Sequence, residues 1–211
     1  MIDESWLQEF LGKAADDKSI AFDIGANVGE WSIAMSQVFA GVVAIEPDPR
    51  AYSELAAAAP NNVATGRFAA AATSGILQFC MRESHLQSSL LIEHPIGAAD
   101  QAAAPIISHE PVVGVTLDQL LVVAASRFVG LELGFVKVDV EGAEGDVLAG
   151  ATAPIFSRVK WLIEIHDRER EVGLQLERLG YGDILIVKHP HKNAHPKHFW
   201  VYAEPRENAD A

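Results

Sequence analysis

Between Phe22 and Gly29 the chain reads Phe-Asp-Ile-Gly-Ala-Asn-Val-Gly. Gly25 and Gly29 carry no Cβ, so the backbone can turn tightly here and come close to a ligand. A helix that follows such a turn aims its first amides at the same place. The glycines do not complete a dinucleotide fingerprint. That pattern needs glycine where Asn27 and Glu30 stand, and Glu30 sets a negative charge where a pyrophosphate would lie. The Gly-Lys-Ser/Thr ending of a phosphate-binding loop is absent as well. Asp23 instead suits a ligand with an ammonium group, with Gly25, Ala26, Asn27 and Gly29 forming the turn around it. Further along, Glu46 is followed by Pro47 and Asp48. A carboxylate at the end of a second strand can accept both hydroxyls of a ribose. An amino-acid end at Asp23–Gly29 and a ribose at Glu46 together describe S-adenosylmethionine. Asp48 fits better as the N-cap of the helix that follows.

A second constellation lies later in the chain. Lys137 and Asp139 alternate with Val136, Val138 and Val140, and Glu141 and Glu144 follow in the next turn. Glu164 and His166 share one face of another strand, since side chains alternate along it. Asp139, Glu141, Glu164 and His166 are therefore expected on one rim. Methyl transfer to an alcohol needs its proton removed or its pKa lowered by a metal. His166 is the candidate general base, with Asp139 and Glu164 beside it. The alternative is a divalent cation, magnesium or manganese, held by Asp139, Glu164 and His166. Glu144 can be a helix-start charge, and Lys137 is expected to ion-pair with Glu164 on the neighbouring strand.

The elements that must position these residues alternate. Ser19–Ile24, Val42–Ile45, Asn62–Phe68, Gly75–Met81, Leu133–Val138 and Val159–Ile165 read as strands. Val28–Phe39, Arg50–Ala59, Ala143–Leu148 and Arg168–Leu179 read as helices. Asp183–Val187 and His198–Tyr202 close the chain as strands, and residues 1–18 read as a leading helix. Strand–helix alternation predicts a mostly parallel sheet covered on both faces, in a single domain. Arg82–Pro111 has weak periodicity and three prolines, and reads as a substrate-side lid carrying Ser88 and Ser89. The histidine-rich run Lys188–His198 reads as a solvated loop.

Composition limits the partners. The 211 residues are 49% hydrophobic and 21% charged, as in a globular chain. Lys and Arg number 16 and Asp and Glu 29, so 16 − 29 = −13. Such a chain is repelled by a phosphate backbone, which argues against nucleic acid. No apolar stretch reaches the roughly 20 residues of a membrane helix. Cys80 is the only cysteine, which excludes an intrachain disulfide; it sits among Leu77, Phe79 and Met81 as a packing residue. A cytoplasmic setting is expected.

The runs DIGANVG, AIEPDP, TLDQL, VKVDVEGAEGDVLAGA and LIEIH, in that order from Ile20 to Gly182, resemble the FkbM-type S-adenosylmethionine-dependent methyltransferases of class I. The resemblance implies a doubly wound α/β fold: a mostly parallel seven-stranded Rossmann-like methyltransferase sheet whose last strand is antiparallel. It implies O-methylation of a hydroxyl on a small molecule, a sugar or natural product. It places Asp23, Gly25, Asn27 and Gly29 at the methionine end and Glu46 at the ribose. The acidic residue that class I enzymes often set against the adenine is replaced here by Phe68-Ala69-Ala70-Ala71. The expected partner is a small-molecule acceptor bearing a hydroxyl, and a homodimer is left open. The competing reading is an inactive S-adenosylmethionine- or nucleoside-binding module; a nucleotide-sugar dehydrogenase-like domain is disfavoured by the failed glycine pattern.

Overall fold

The computed structural model describes residues 10–12, 14–85, 88–90, 104–166, 168–182, 184–188 and 198–206. The buried apolar run at Ser19–Ile24 extends into β1, Asp16–Ile24. After it come α1 (Glu30–Met35), β2 (Phe39–Ile45), α2 (Pro49–Ala58) and β3 (Val63–Gly66). Then follow β4 (Ala69–Ala70), β5 (Gly75–Arg82), β6 (Ile106–Val115) and α3 (Leu117–Arg127). The second half holds β7 (Glu132–Val138), α4 (Glu144–Ala149), β8 (Lys160–His166), α5 (Glu169–Arg178), β9 (Ile184–Lys188) and β10 (His198–Ala203).

Seven strands form one sheet in the order β3-β2-β1-β7-β8-β10-β9. β1 pairs in parallel with β2 and with β7, and β10 runs antiparallel to both β8 and β9. The last strand is therefore the antiparallel one, as expected. Side chains alternate across this sheet, so each buried strand feeds two cores. Phe22, Ile24, Val136 and Ile163 pack on one face with Leu120 of α3, Leu148 of α4 and Leu176 of α5. Ala21, Val42, Phe135 and Leu162 pack on the other with Trp31 of α1 and Leu55 of α2. Phe10 and Leu11, from the described end of the leading segment, join that second core, and the Phe10 ring meets Tyr202 edge-on at 5.8 Å. No helix among the described residues is long and apolar enough to cross a membrane.

A smaller sheet, β4-β6-β5, flanks the large one. β5 was legible as a strand; β6 was not. Residues 106–111, read as the end of an irregular lid, are strand, paired antiparallel with β5 from Gly75↔Gly114 to Arg82↔Ile106. Their pattern is weak because only Val112 and Gly114 of β6 are buried. A strand whose residues are mostly exposed imposes no apolar alternation. Helix α3 is also an addition. Thr116 accepts from the Gln119 amide at 3.2 Å while the Gln119 side chain accepts from the Thr116 amide at 3.0 Å, a reciprocal helix start. Asp118 accepts from the amides of Thr152 and Ala153, tying α3 to the loop after α4. The TLDQL run thus serves docking of a helix.

Candidate functional site

The order of strands reverses between β1 and β7, and a ligand crevice is expected beyond their carboxyl ends. The chain leaves β1 through three residues with positive φ: Gly25 at 74°, Asn27 at 49° and Gly29 at 97°. Gly25 is required by its neighbour. A Cβ there would stand 1.8 Å from the carbonyl oxygen of Asp139 at the end of β7. The amides of Gly25 and Ala26 both donate to the Ile45 carbonyl, which fastens the turn to β2.

Glu46 follows directly. One of its carboxylate oxygens accepts from the Asn27 amide at 2.9 Å and the other from the Asp48 amide at 2.8 Å. Burial pushes its pKa from 4.5 up to about 7 against those two donors. Asp48 caps α2 by accepting from the Arg50 amide at 2.9 Å. Burial opposes its charge, yet the Arg50 guanidinium, 2.6 Å away, holds its carboxyl below the usual range. The same guanidinium donates to the Arg82 carbonyl at 2.7 Å and to Ser88 Oγ at 3.4 Å. Ser89 exchanges backbone hydrogen bonds with Cys80, which is fully buried as a packing residue. Arg50 and β5 together set residues 88–90 beside Glu46.

Asp23 turns inward. Its carboxylate is fully buried, 3.1 Å from Lys137 Nζ and 2.6 Å from the donating Ser32 hydroxyl. Lys137 Nζ also donates to the Gly25 carbonyl at 2.9 Å and lies 3.6 Å from Asp139. Burial opposes the lysine's charge, but Asp23 and Asp139 keep its pKa above the usual value. This corrects the expected Lys137–Glu164 pair. Lys137 stands directly opposite Asp23 across the β1–β7 ladder, whereas its partner on β8 is Leu162. Asp23 therefore braces the turn through Lys137 and does not face the crevice.

His166, at the end of β8, is 2% exposed. Its Nδ1 lies 2.7 Å from Glu144, which is wholly buried in the first turn of α4 and also accepts from the Gly142 amide. Its Nε2 faces Glu141 at 3.6 Å and Glu164 at 3.8 Å. Burial disfavours its charge, but these carboxylates outweigh it and raise its pKa well above 6.5. The carboxylates on both sides of the ring therefore favour its charged form. His166, the general base expected from the sequence, is thus held between carboxylates on both ring nitrogens. Donor atoms of Asp139, Glu164 and His166 all lie within 4.8 Å of one another.

An open cleft occupies the crevice. Gly25, Asn27, Glu46 and Pro47 form one wall, and Asp139, Val140, Glu141 and Ala143 another. Phe68, Ala69, Ala70 and Phe79 make an apolar side, and His85, Ser88, Ser89 and Leu90 close it from the β5 end. Among the predicted site residues, Gly25, Asn27, Glu46, Pro47 and Asp139 line this space; Asp23, Ala26, Gly29, Glu164 and His166 stand behind it. Phe68, Ala69 and Ala70, which stand at the expected adenine position, line it as well, whereas His85, Phe79 and Leu90 were missed. The Ser88–Ser89 pair pointed to that wall, but no local pattern tells which residues of an irregular segment fold inward. Among the described residues, the lining holds three carboxylates and neither lysine nor arginine.

A doubly wound α/β domain with an acidic cavity at its topological switch point is the class that this fold and site define. Within that class, a family model described as the methyltransferase FkbM domain matches residues 23–192, and the chain belongs to that family. Solved structures share the fold. A methyltransferase FkbM from Methylobacillus flagellatus KT is 18% identical with a TM-score of 0.57; the match covers 89% of this chain and 44% of that one. This chain therefore spans less than half the length of that relative. An rRNA methylase from Streptococcus thermophilus is 14% identical over 97% of this chain and 98% of its own, with a TM-score of 0.53. The Streptococcus mutans protein SMU.1697c, solved in complex with SAH, is 13% identical over 97% and 99%, with a TM-score of 0.54. No curated protein sequence matches the chain.

Proposed function

We propose that this protein transfers a methyl group from S-adenosylmethionine to a hydroxyl oxygen of a small molecule. The observation that carries this reading is Glu46, anchored by two backbone amides at one end of a cavity whose other end is lined by Asp139 and Glu141. A carboxylate in that place accepts the ribose hydroxyls. The turn Gly25–Asn27 faces the amino-acid portion, and the apolar side at Phe68, Ala69 and Phe79 suits the adenine. The lining carboxylates favour a cationic sulfonium over any phosphate-bearing cofactor. The Streptococcus mutans fold relative was solved with SAH. One fold relative is an rRNA methylase. The charge of −13, and a cavity lined among the described residues by neither lysine nor arginine, oppose an RNA substrate here.

The test is calorimetry with S-adenosylmethionine and NAD, followed by labelled methyl transfer to a panel of sugars, polyols and polyketide alcohols. Binding of S-adenosylmethionine alone, with transfer to at least one hydroxyl, is expected. Failure to bind it refutes the reading, and binding without transfer reduces the protein to a binding module. A second reading rests on the donor spacing of Asp139, Glu164 and His166, which suits magnesium or manganese if His166 gives up its proton. Transfer that survives chelation and is unmoved by added magnesium removes it.

A further inference from the structure

We propose that Glu141 is the catalytic residue that takes the proton of the acceptor hydroxyl, and that His166 and Glu144 are the pair that positions it. The inference rests on the methyl-transfer reading and names the group that touches the acceptor. Of the carboxylates lining the cavity, Glu46 accepts a backbone amide on each oxygen, whereas Asp139 and Glu141 each stand 3.6 Å from one side-chain nitrogen, of Lys137 and of His166. Glu141 differs in its backbone. It is a non-glycine residue at φ 55°, a left-handed backbone that an L side chain rarely adopts. Such strain persists only where the surroundings enforce it. Here they do. Gly142 follows at φ 102°, its amide donates to Glu144 at 2.9 Å, and its carbonyl accepts from Arg168 at 3.1 Å.

The result is a carboxylate in the cavity wall whose Oε2 is 3.6 Å from His166 Nε2, with Glu144 holding the far side of the imidazole at 2.7 Å. The His166 ring, itself fixed by Glu144, directs the Glu141 carboxylate. In the step, an oxygen lone pair of the acceptor bonds to the methyl carbon as the carbon–sulfur bond breaks. That electron pair stays on sulfur, giving S-adenosylhomocysteine, and the hydroxyl proton passes to Glu141. The sulfonium loses one positive charge as the carboxylate loses one negative charge, so the net charge of the cavity is unchanged.

The experiment compares wild type, Glu141→Gln and Glu141→Asp on the acceptor found in the panel, with S-adenosylmethionine affinity measured separately. General-base loss is expected to lower kcat about 100-fold or more in Glu141→Gln. Affinity should stay within about twofold, because the ribose and amino-acid contacts are elsewhere, and Glu141→Asp should recover part of kcat. A further variant, Glu144→Gln, should lower kcat less and leave the acceptor KM unchanged. Unchanged kcat in Glu141→Gln overturns the assignment. So does a loss confined to cofactor affinity, which would make Glu141 a cofactor ligand. If wild type transfers no methyl to any acceptor, the methyl-transfer reading itself falls.

Discussion

Replacing Glu46 by Gln probes the cavity through two independent measurements. The folded protein holds the Glu46 proton up to about pH 7, whereas the unfolded chain releases it near 4.5. At about 1.4 kcal/mol for each tenfold change, that gap corresponds to about 3 kcal/mol of destabilisation once the carboxylate is ionised in both states. Below 4.5 the group is protonated in both states and costs nothing. The penalty grows as pH rises from 4.5 through 7 and is complete above it. Glutamine cannot ionise, so the difference in unfolding free energy between variant and wild type should shift by about 2.5 kcal/mol in the variant's favour between pH 5 and 8. A constant offset lies beneath that shift. Glutamine offers one acceptor to the two amides of Asn27 and Asp48, and the unmet amide costs about 1–3 kcal/mol at every pH. Denaturant unfolding at four pH values separates the slope from the offset. The second measurement is cofactor affinity. Losing a charged acceptor for the ribose hydroxyls should weaken S-adenosylmethionine binding by about 10–100-fold at pH 8. A pH-independent stability difference would refute the burial argument, and unchanged affinity would remove Glu46 from the ribose.

Lys137→Met should cost about 3–5 kcal/mol in urea unfolding, because Asp23 is left buried without its cation. Adding Asp23→Asn should recover much of that loss, and a double variant no better than the single one would mean the pair does not carry the stability. Gly25→Ala should lose more than about 2 kcal/mol, since the turn needs φ 74° and the new Cβ meets the Asp139 carbonyl, backbone against backbone. Gly29→Ala meets only the flexible end of Leu55 at 2.9 Å and should cost about 1 kcal/mol, so thermal midpoints that rank the two the other way contradict the packing described here.

Much of this protein is written locally. The buried run Ile20–Ile24, the turn at Gly25–Gly29, the cap at Asp48 and the carboxylate at Glu46 were all legible. Each follows from a residue's own backbone preference or from a short period of apolar side chains. The parallel sheet was legible for the same reason, since strands buried on both faces must be apolar throughout, as Val136 and Val138 are. Strand β6 escaped because its exposed face leaves no alternation to read, and α3 escaped although Thr116 and Gln119 spell its start.

The partners of buried charges were decided only by tertiary structure. Lys137 takes Asp23 because the register of β7 against β1 sets them opposite, and no spacing along the chain carries that register. The pKa of His166 is pushed up because Glu141, Glu144 and Glu164, brought from a turn, a helix and its own strand, close around it. Period and propensity act over a few residues, so they name the elements. Charge states and cavity walls depend on groups distant in sequence, and those meet only when the chain has folded.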